Sequence, residues 1–172
     1  MQLLVDSPAR VSSSPTNKNR PGATRVAELL SAEDILLDLE VSCKDQLIEQ
    51  VSRHMQRVHG LPHHSVALSL FHREQIGSTA LGEGVAIPHA RVKELDCIRV
   101  AYARMKLPIC FDAPDGRGVR EALVLLVPKQ ATQEHLDILA EATQMLSDRR
   151  FRERLERCQE PLEIKRLFDN WR

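Results

Sequence analysis

Between Asp45 and Val58 the apolar residues Leu47, Ile48, Val51, Met55 and Val58 recur at three- and four-residue spacing. That period puts them on one face of a helix, and Gly60 supplies the stop. Pro62 suits the first turn of a second helix, which carries Val66, Ala67, Leu70 and Phe71 and ends at Gly77. Downstream the pattern shortens. Val85-Ala86-Ile87 is a short strand-prone run closed by Pro88; Ile98 to Leu107 is a longer one that Pro108-Ile109-Cys110-Phe111 continues beyond a kink. Asp112-Ala113-Pro114-Asp115-Gly116 is turn chemistry. Ala122 to Val127 is apolar at every position, the signature of a central strand covered on both faces. Thr132 then caps a helix with Leu136, Leu139, Ala140, Thr143 and Leu146 on one side, and two short helices near 149–157 and 162–170 finish the chain. Ahead of all these, Val26 to Leu30 leads to Ser31 as the cap of a short turn, and Ile35 to Leu39 is apolar enough to join the core. Helices, strands and helices in this order predict an α/β fold, a mixed β-sheet flanked by helices in a single-domain sandwich.

The ordered pattern begins near Arg25. The stretch before it, with Ser12-Ser13-Ser14-Pro15 and Asn17-Lys18-Asn19-Arg20-Pro21-Gly22, is too polar to bury a core, so residues 1–24 read as a flexible leader and 25–172 as the domain. At 172 residues the chain is long enough for a sizeable core without staples. Lys plus Arg equals Asp plus Glu at 24 each, which disfavours a basic nucleic-acid binder and an acidic tail protein alike. The longest apolar run, Ala122 to Pro128, is far below the roughly 20 residues that cross a bilayer, and Met1 to Asp6 does not begin a secretory signal. A cytoplasmic protein is expected. Cys43, Cys97, Cys110 and Cys158 contain no CxxC pair, so they read as free thiols.

Gly77-Ser78-Thr79-Ala80-Leu81-Gly82-Glu83-Gly84 is glycine-rich and lets backbone amides approach an anion; without a following Gly-Lys-Ser/Thr it is not a Walker A loop. His89 follows the short strand and Pro88. Its imidazole there can serve as nucleophile, base or ligand, or simply occupy a turn. With Thr132 as N-cap, His135 is the third helical residue, at the positive end of the helix dipole, where a neutral ring can donate to a phosphoryl oxygen or sit as an ordinary first-turn residue. Arg73, just before the glycine loop, can grip phosphate bidentately or be a plain surface arginine. His59, His63, His64 and His72 invite a metal reading. However, Gly60 and Pro62 break the helix between them and no cysteine or carboxylate pair completes a tetrahedral set, so a solvated helix junction is the favoured alternative. Arg149 to Arg157, interleaved with Glu153 and Glu156, reads as a salt-bridged helix face.

The run Gly77-Ser78-Thr79-x-Leu81-Gly82-x-Gly84-Val85-Ala86-Ile87-Pro88-His89-Ala90-Arg91 closely resembles the active-site signature of the fructose/mannitol-type IIA domains of the bacterial phosphoenolpyruvate-dependent phosphotransferase system. The resemblance spans about Leu29 to Leu167 and includes Phe71-x-Arg73-Glu74, Phe111 to Gly116, Leu126-Val127-Pro128 and Ala131-Thr132-x-Glu134-His135-Leu136. The Phe111 to Gly116 segment and the free-standing domain are most similar to the nitrogen-type regulatory members.

The resemblance implies that His89 accepts a phosphoryl group, that His135 hydrogen-bonds it, that Arg73 contacts it, and that Ser78 and Thr79, with Gly82 and Gly84 of the same loop, line the pocket. It implies a mixed sheet flanked by helices, an HPr-like phosphocarrier as donor, a regulated protein as target, and no cofactor, nucleotide or metal. Two departures, Gly118-Val119-Arg120-Glu121 and Lys129, are expected at the pocket rim. A regulatory phosphoprotein, a relay to a IIB domain of a sugar transporter, and a binding module that keeps only the fold are then the competing functions. The pair His89 and His135 disfavours the last, and the lack of a fused IIB or membrane segment favours the first.

Overall fold

The structure, a computed structural model, describes residues 23–130 and 132–172. Most of the expected leader, and Ala131, lie outside the described residues. Among the described residues the order is α1 (Arg25–Leu29), β1 (Leu30–Leu39), α2 (Lys44–His59), α3 (His63–Ile76), β2 (Ala80–Gly82), β3 (Val85–Ala86), β4 (His89–Val92), β5 (Arg99–Ile109), β6 (Val119–Pro128), α4 (Gln133–Ser147), α5 (Arg149–Arg157) and α6 (Pro161–Asp169).

The strands form one mixed sheet in the order β1-β5-β6-β3-β2. β5 runs parallel to β1 and antiparallel to β6, and β3 and β4 both run parallel to β6, one after the other along its length. β6 is therefore the central strand its apolar run predicts. Its alternate residues feed two cores: Ala122, Val124 and Leu126 pack with Leu47, Val51, Met55, Val66 and Leu70 of α2 and α3. Leu123 and Leu125 pack with Ile138, Met145, Phe151, Ile164 and Phe168 of α4, α5 and α6. Burying a strand on both faces contributes roughly 1.5–3 kcal/mol per large side chain, in keeping with the absence of any polar residue between Ala122 and Leu126.

Several expectations are corrected. Ser31 is not a cap but lies inside β1, and it is Thr24 whose hydroxyl accepts from the Ala27 N–H at the start of α1. The buried stripe of α4 is Ile138, Ala142, Met145 and Leu146; Leu136 is 61% exposed, because the face it shares with Leu139 turns toward a cavity mouth. The Arg149–Arg157 helix does carry an exposed Arg149–Glu153 pair, but Arg152 turns inward and donates to the Leu146 and Ser147 carbonyls that α4 leaves open.

The histidine cluster does not converge. His59 and the unanticipated His54, both on α2, grip the buried Asp34 carboxylate at 2.8 and 2.9 Å, while His63 pairs with Glu49 and His64 and His72 are exposed. Among the described residues no group of three or more His, Cys, Asp or Glu is placed to hold a metal ion. A register shift in β1 between Leu30 and Ile35 accompanies the turn of Asp34 toward α2. Arg57 donates to Nδ1 of His54, so Nε2 of that ring carries the proton given to Asp34.

Burial pushes the Asp34 carboxyl up, but the donors His54, His59 and Ser31 outweigh it and hold its pKa below the ordinary 3.8. A depressed carboxylate stabilises the fold above its unfolded value and loses that contribution as pH falls through the folded one, so this term fades below about pH 3.8. Asp34→Ala leaves three donors, His54, His59 and Ser31, without their acceptor and is expected to cost about 2–4 kcal/mol at neutral pH. Denaturant titrations at neutral pH and below pH 3.8 check this, with the gap between variant and parent narrowing in acid.

Candidate functional site

A cavity of about 730 Å³ opens where α3, β4, the end of β6 and the first turns of α4 meet. Arg73, His89 and His135, far apart in sequence, all line it. Each arrives by a local rule. Arg73 stands in the last turn of α3. His135 is the third residue of α4, set by Thr132 at the N-cap. His89 is the first residue of β4, not a loop residue as its place after Pro88 suggests. The hydrogen bonding of β6 runs on past the proline, with Leu125 N–H donating to the Pro88 carbonyl at 2.9 Å and His89 registering opposite Leu125.

The His89 ring is held on both sides. Its Nδ1 lies 2.8 Å from the Ile87 carbonyl, and its Nε2 accepts the Arg73 Nε–H at 3.2 Å. An acceptor at Nδ1 and a donor at Nε2 fix one tautomer, with hydrogen on Nδ1 and the lone pair on Nε2 in the cavity. Arg73 also donates from Nη1 to the Gly77 carbonyl, which anchors the guanidinium to the end of its own helix. Burial lowers the His89 pKa below the ordinary 6.5 and the Arg73 charge lowers it further, against the opposing pull of the Ile87 carbonyl and Glu74. The ring is thus neutral at neutral pH, and the lone pair on its Nε2 faces the cavity.

His135 has a complementary tautomer. Its Nδ1 accepts the Thr132 N–H at 3.2 Å, closing the helix start, which leaves hydrogen on Nε2 of the neutral ring. The lining residues include no carboxylate, while Arg73 and Arg91 supply fixed positive charge. A small dianion is the species such a site stabilises.

The glycine-rich loop does something other than expected. Ser78, Thr79, Gly82 and Gly84 do not line this cavity. Ser78 donates to the Phe111 carbonyl, and Thr79 is buried with its N–H and hydroxyl both on the Glu74 carboxylate. Gly82 and Gly84 flank the β2–β3 hairpin turn, where Gly82, Glu83 and Gly84 all have positive φ. The glycines are required by that turn. The loop's contribution to the site is indirect: the Thr79 carbonyl accepts from Ile87, the residue whose own carbonyl holds His89.

Sequence reasoning missed Arg91 and His72 as lining residues. Arg91 was legible, since His89-Ala90-Arg91-Val92 alternates polar and apolar with Ala90 and Val92 buried, the two-residue period of a half-buried strand. Of the two departures, Lys129 follows β6 at the cavity end, but Gly118–Glu121 lies toward its opposite end, with even Glu121 about 13 Å along the strand from the lining residue Leu125. There Glu121 sits opposite Arg104 in the core, its carboxyl raised by burial.

The family model for the phosphoenolpyruvate-dependent sugar phosphotransferase system, EIIA 2, matches residues 28–171. The chain belongs to this family. Within it, a nitrogen regulatory protein of Bradyrhizobium diazoefficiens is 35% identical over 123 residues, which are 72% of this chain and 80% of that protein. The crystal structure of nitrogen regulatory protein IIA-Ntr from Neisseria meningitidis superimposes with a TM-score of 0.79 at 38% identity, covering 84% of this chain and 99% of that one. An EIIA 2 fold is also shared with the mannitol IIA of Escherichia coli, solved in complex with its phosphorylated IIB, at a TM-score of 0.69 and 21% identity over 81% and 96% of the two chains. No helix among the described residues of this EIIA 2 domain is long and apolar enough to cross a membrane.

Proposed function

We propose that the protein is a regulatory phosphoryl carrier of the nitrogen type, which accepts a phosphoryl group on Nε2 of His89 and signals through its phosphorylation state in the cytoplasm. The observation that carries this reading is the Ile87 carbonyl on Nδ1, which leaves Nε2 as the free nucleophile beside Arg73 in a cavity lined without carboxylates. The nitrogen regulatory relatives support the regulatory assignment.

The donor is a phosphohistidine of an HPr-like phosphocarrier. Its N–P bond breaks as the Nε2 lone pair of His89 bonds to phosphorus in line, and the electron pair of the broken bond stays on the carrier nitrogen, which leaves as a neutral imidazole. Before attack, Arg73 must release Nε2; its donors then meet the phosphoryl oxygens, so one residue shields the resting nucleophile and stabilises the charge that replaces it. His135 donates its Nε2–H to the same group. The transition state is loose and highly charged, and positioning with anion stabilisation supplies most of the rate. A protein donor, in place of a small molecule, is favoured by the rim: Ile76 is 84% and Leu136 61% exposed beside the cavity, an apolar border suited to another protein's surface.

Phosphorylation adds about −1.5 to −2 charges at this mouth. A target docking over it with acidic or apolar groups is repelled by charge and desolvation. Unphosphorylated protein and His89→Ala are expected to retain such a target at least about tenfold better than the phospho-form, with His89→Asp between them. Pull-downs with both forms, paired with a sugar-phosphorylation assay on membranes, test the reading. Identical partner sets together with efficient transfer to a membrane sugar transporter would replace it with the second reading, a relay to a IIB domain.

A further inference from the structure

Cys43 and Cys110 share no sequence motif, yet the fold sets them side by side. Beyond the last paired residues of β1 and β5 the two chains remain parallel and form one more bridge, with Cys43 opposite Cys110. Bridged chains lie about 4.8 Å apart, inside the roughly 4.4–6.8 Å between Cα atoms that a disulfide spans, and bridge partners project their side chains to the same side. Cys43 is half-buried and Cys110 exposed, so a small oxidant can reach the pair. Cys43 stands at the N-cap of α2 in extended backbone, and its sulfur makes no capping hydrogen bond.

The surroundings fix both positions without using either thiol. Lys44, next to Cys43, places its ammonium 2.7 Å from Asp112 and 5.8 Å from the centre of the Phe111 ring, so the residues following each cysteine already hold one another. The Phe111 carbonyl in turn accepts from Ser78. None of these contacts uses either sulfur. The other two cysteines lack such a neighbour: Cys97 is exposed, and Cys158 closes α5 with its sulfur bonded to the Arg154 carbonyl.

We propose that Cys43 and Cys110 form a reversible redox site that peroxide closes to an intramolecular disulfide. The sulfur of Cys110, the more exposed, attacks one peroxide oxygen; the O–O bond breaks, giving sulfenic acid, and the departing hydroxide takes the thiol proton to become water. The sulfur of Cys43 then attacks the sulfenic sulfur; the S–S bond forms, the S–O bond breaks, and the hydroxide leaves as a second water with the Cys43 proton. Two thiols are oxidised, one peroxide is reduced, and a dithiol reductant reverses the change. The site is independent of the phosphoryl chemistry proposed above.

The test treats full-length protein, wild type and Cys97→Ser/Cys158→Ser, with near-stoichiometric hydrogen peroxide. Expected are a monomer on a non-reducing gel, disappearance of both remaining thiols in the variant, one cross-linked peptide joining Cys43 to Cys110 by mass spectrometry, and recovery with dithiothreitol. The link closes a long loop, so the Tm should rise on the order of 10 °C over the reduced form. Cys43→Ser in the variant background is expected to stop at sulfenic and then sulfinic acid on Cys110, with no rise in Tm. Retention of both thiols, sulfinic acid at Cys110 while Cys43 stays free in the parent, disulfide-linked dimers, or a wild-type cross-link through Cys97 or Cys158 would each overturn the proposal.

Discussion

His89→Ala is expected to lose phosphoryl acceptance altogether while the chain stays folded. The substitution deletes the only atom that the tautomer leaves nucleophilic, Nε2, because Nδ1 is committed to the Ile87 carbonyl. No other ring among the lining residues inherits that arrangement: His135 uses Nδ1 to accept the Thr132 N–H, and His72 is exposed at the cavity wall. The structural loss is small. His89 is only partly buried, its neighbours Ala90 and Val92 carry the β4 packing, and two hydrogen bonds are removed, to the Ile87 carbonyl and from the part-exposed Arg73, about 1 kcal/mol each. Intact phosphorylated carrier, transfer followed on a phosphate-affinity gel, and circular dichroism on the same sample measure both halves. Labelling of folded His89→Ala would move the acceptor elsewhere. The wild-type pH profile belongs to the same expectation: with its pKa held below 6.5 by burial and by Arg73, His89 stays neutral and reactive through that pH, and the rate declines only in more acidic solution.

What the sequence disclosed, and what it hid, follows from the range of the forces involved. Helix α2 was readable to within a residue or two, since its apolar stripe is periodic and Gly60, at φ 66°, ends it in the left-handed region. β6 was readable from its unbroken apolar run. The short strands β2 and β4 were not, because they owe their existence to partners: β4 is straightened by registry with Leu125 to Pro128, and Pro88 in the local sequence points the other way until that registry is known. For the same reason the site came through in part. Residue type and position brought Arg73, His89 and His135 forward, the resemblance added a role for each, and all three line the cavity. The glycines were misplaced, since positive φ in a hairpin and close approach to an anion demand the same residue type, and only the fold tells them apart. The Asp34 cluster was invisible because a strand irregularity and two turns of α2 create it.

The two anion contacts give the second large effect. Arg73→Gln removes a charge that the phosphoryl group meets as it forms, and a loss on the order of 10³ in transfer rate is expected. It also removes one of the causes that depress the His89 pKa, so the acid limb of the pH profile should move upward toward 6.5 even as the plateau falls. A purely structural arginine would lower the plateau and leave the limb in place. His135→Ala removes a neutral donor and is expected to cost on the order of 10²–10³. That variant also opens the start of α4, because His135 closes it through the Thr132 N–H. His135→Glu separates the two roles: a carboxylate three residues after a threonine N-cap restores the closing hydrogen bond, yet it has no proton to give and repels the incoming group. It should therefore match wild type in thermal stability and fall at least as far as His135→Ala in transfer. If His135→Glu transferred at the wild-type rate, His135 would be a helix cap beside the cavity and no more, and the charge of the phosphoryl group would rest on Arg73 with Arg91 as the remaining cation in the lining.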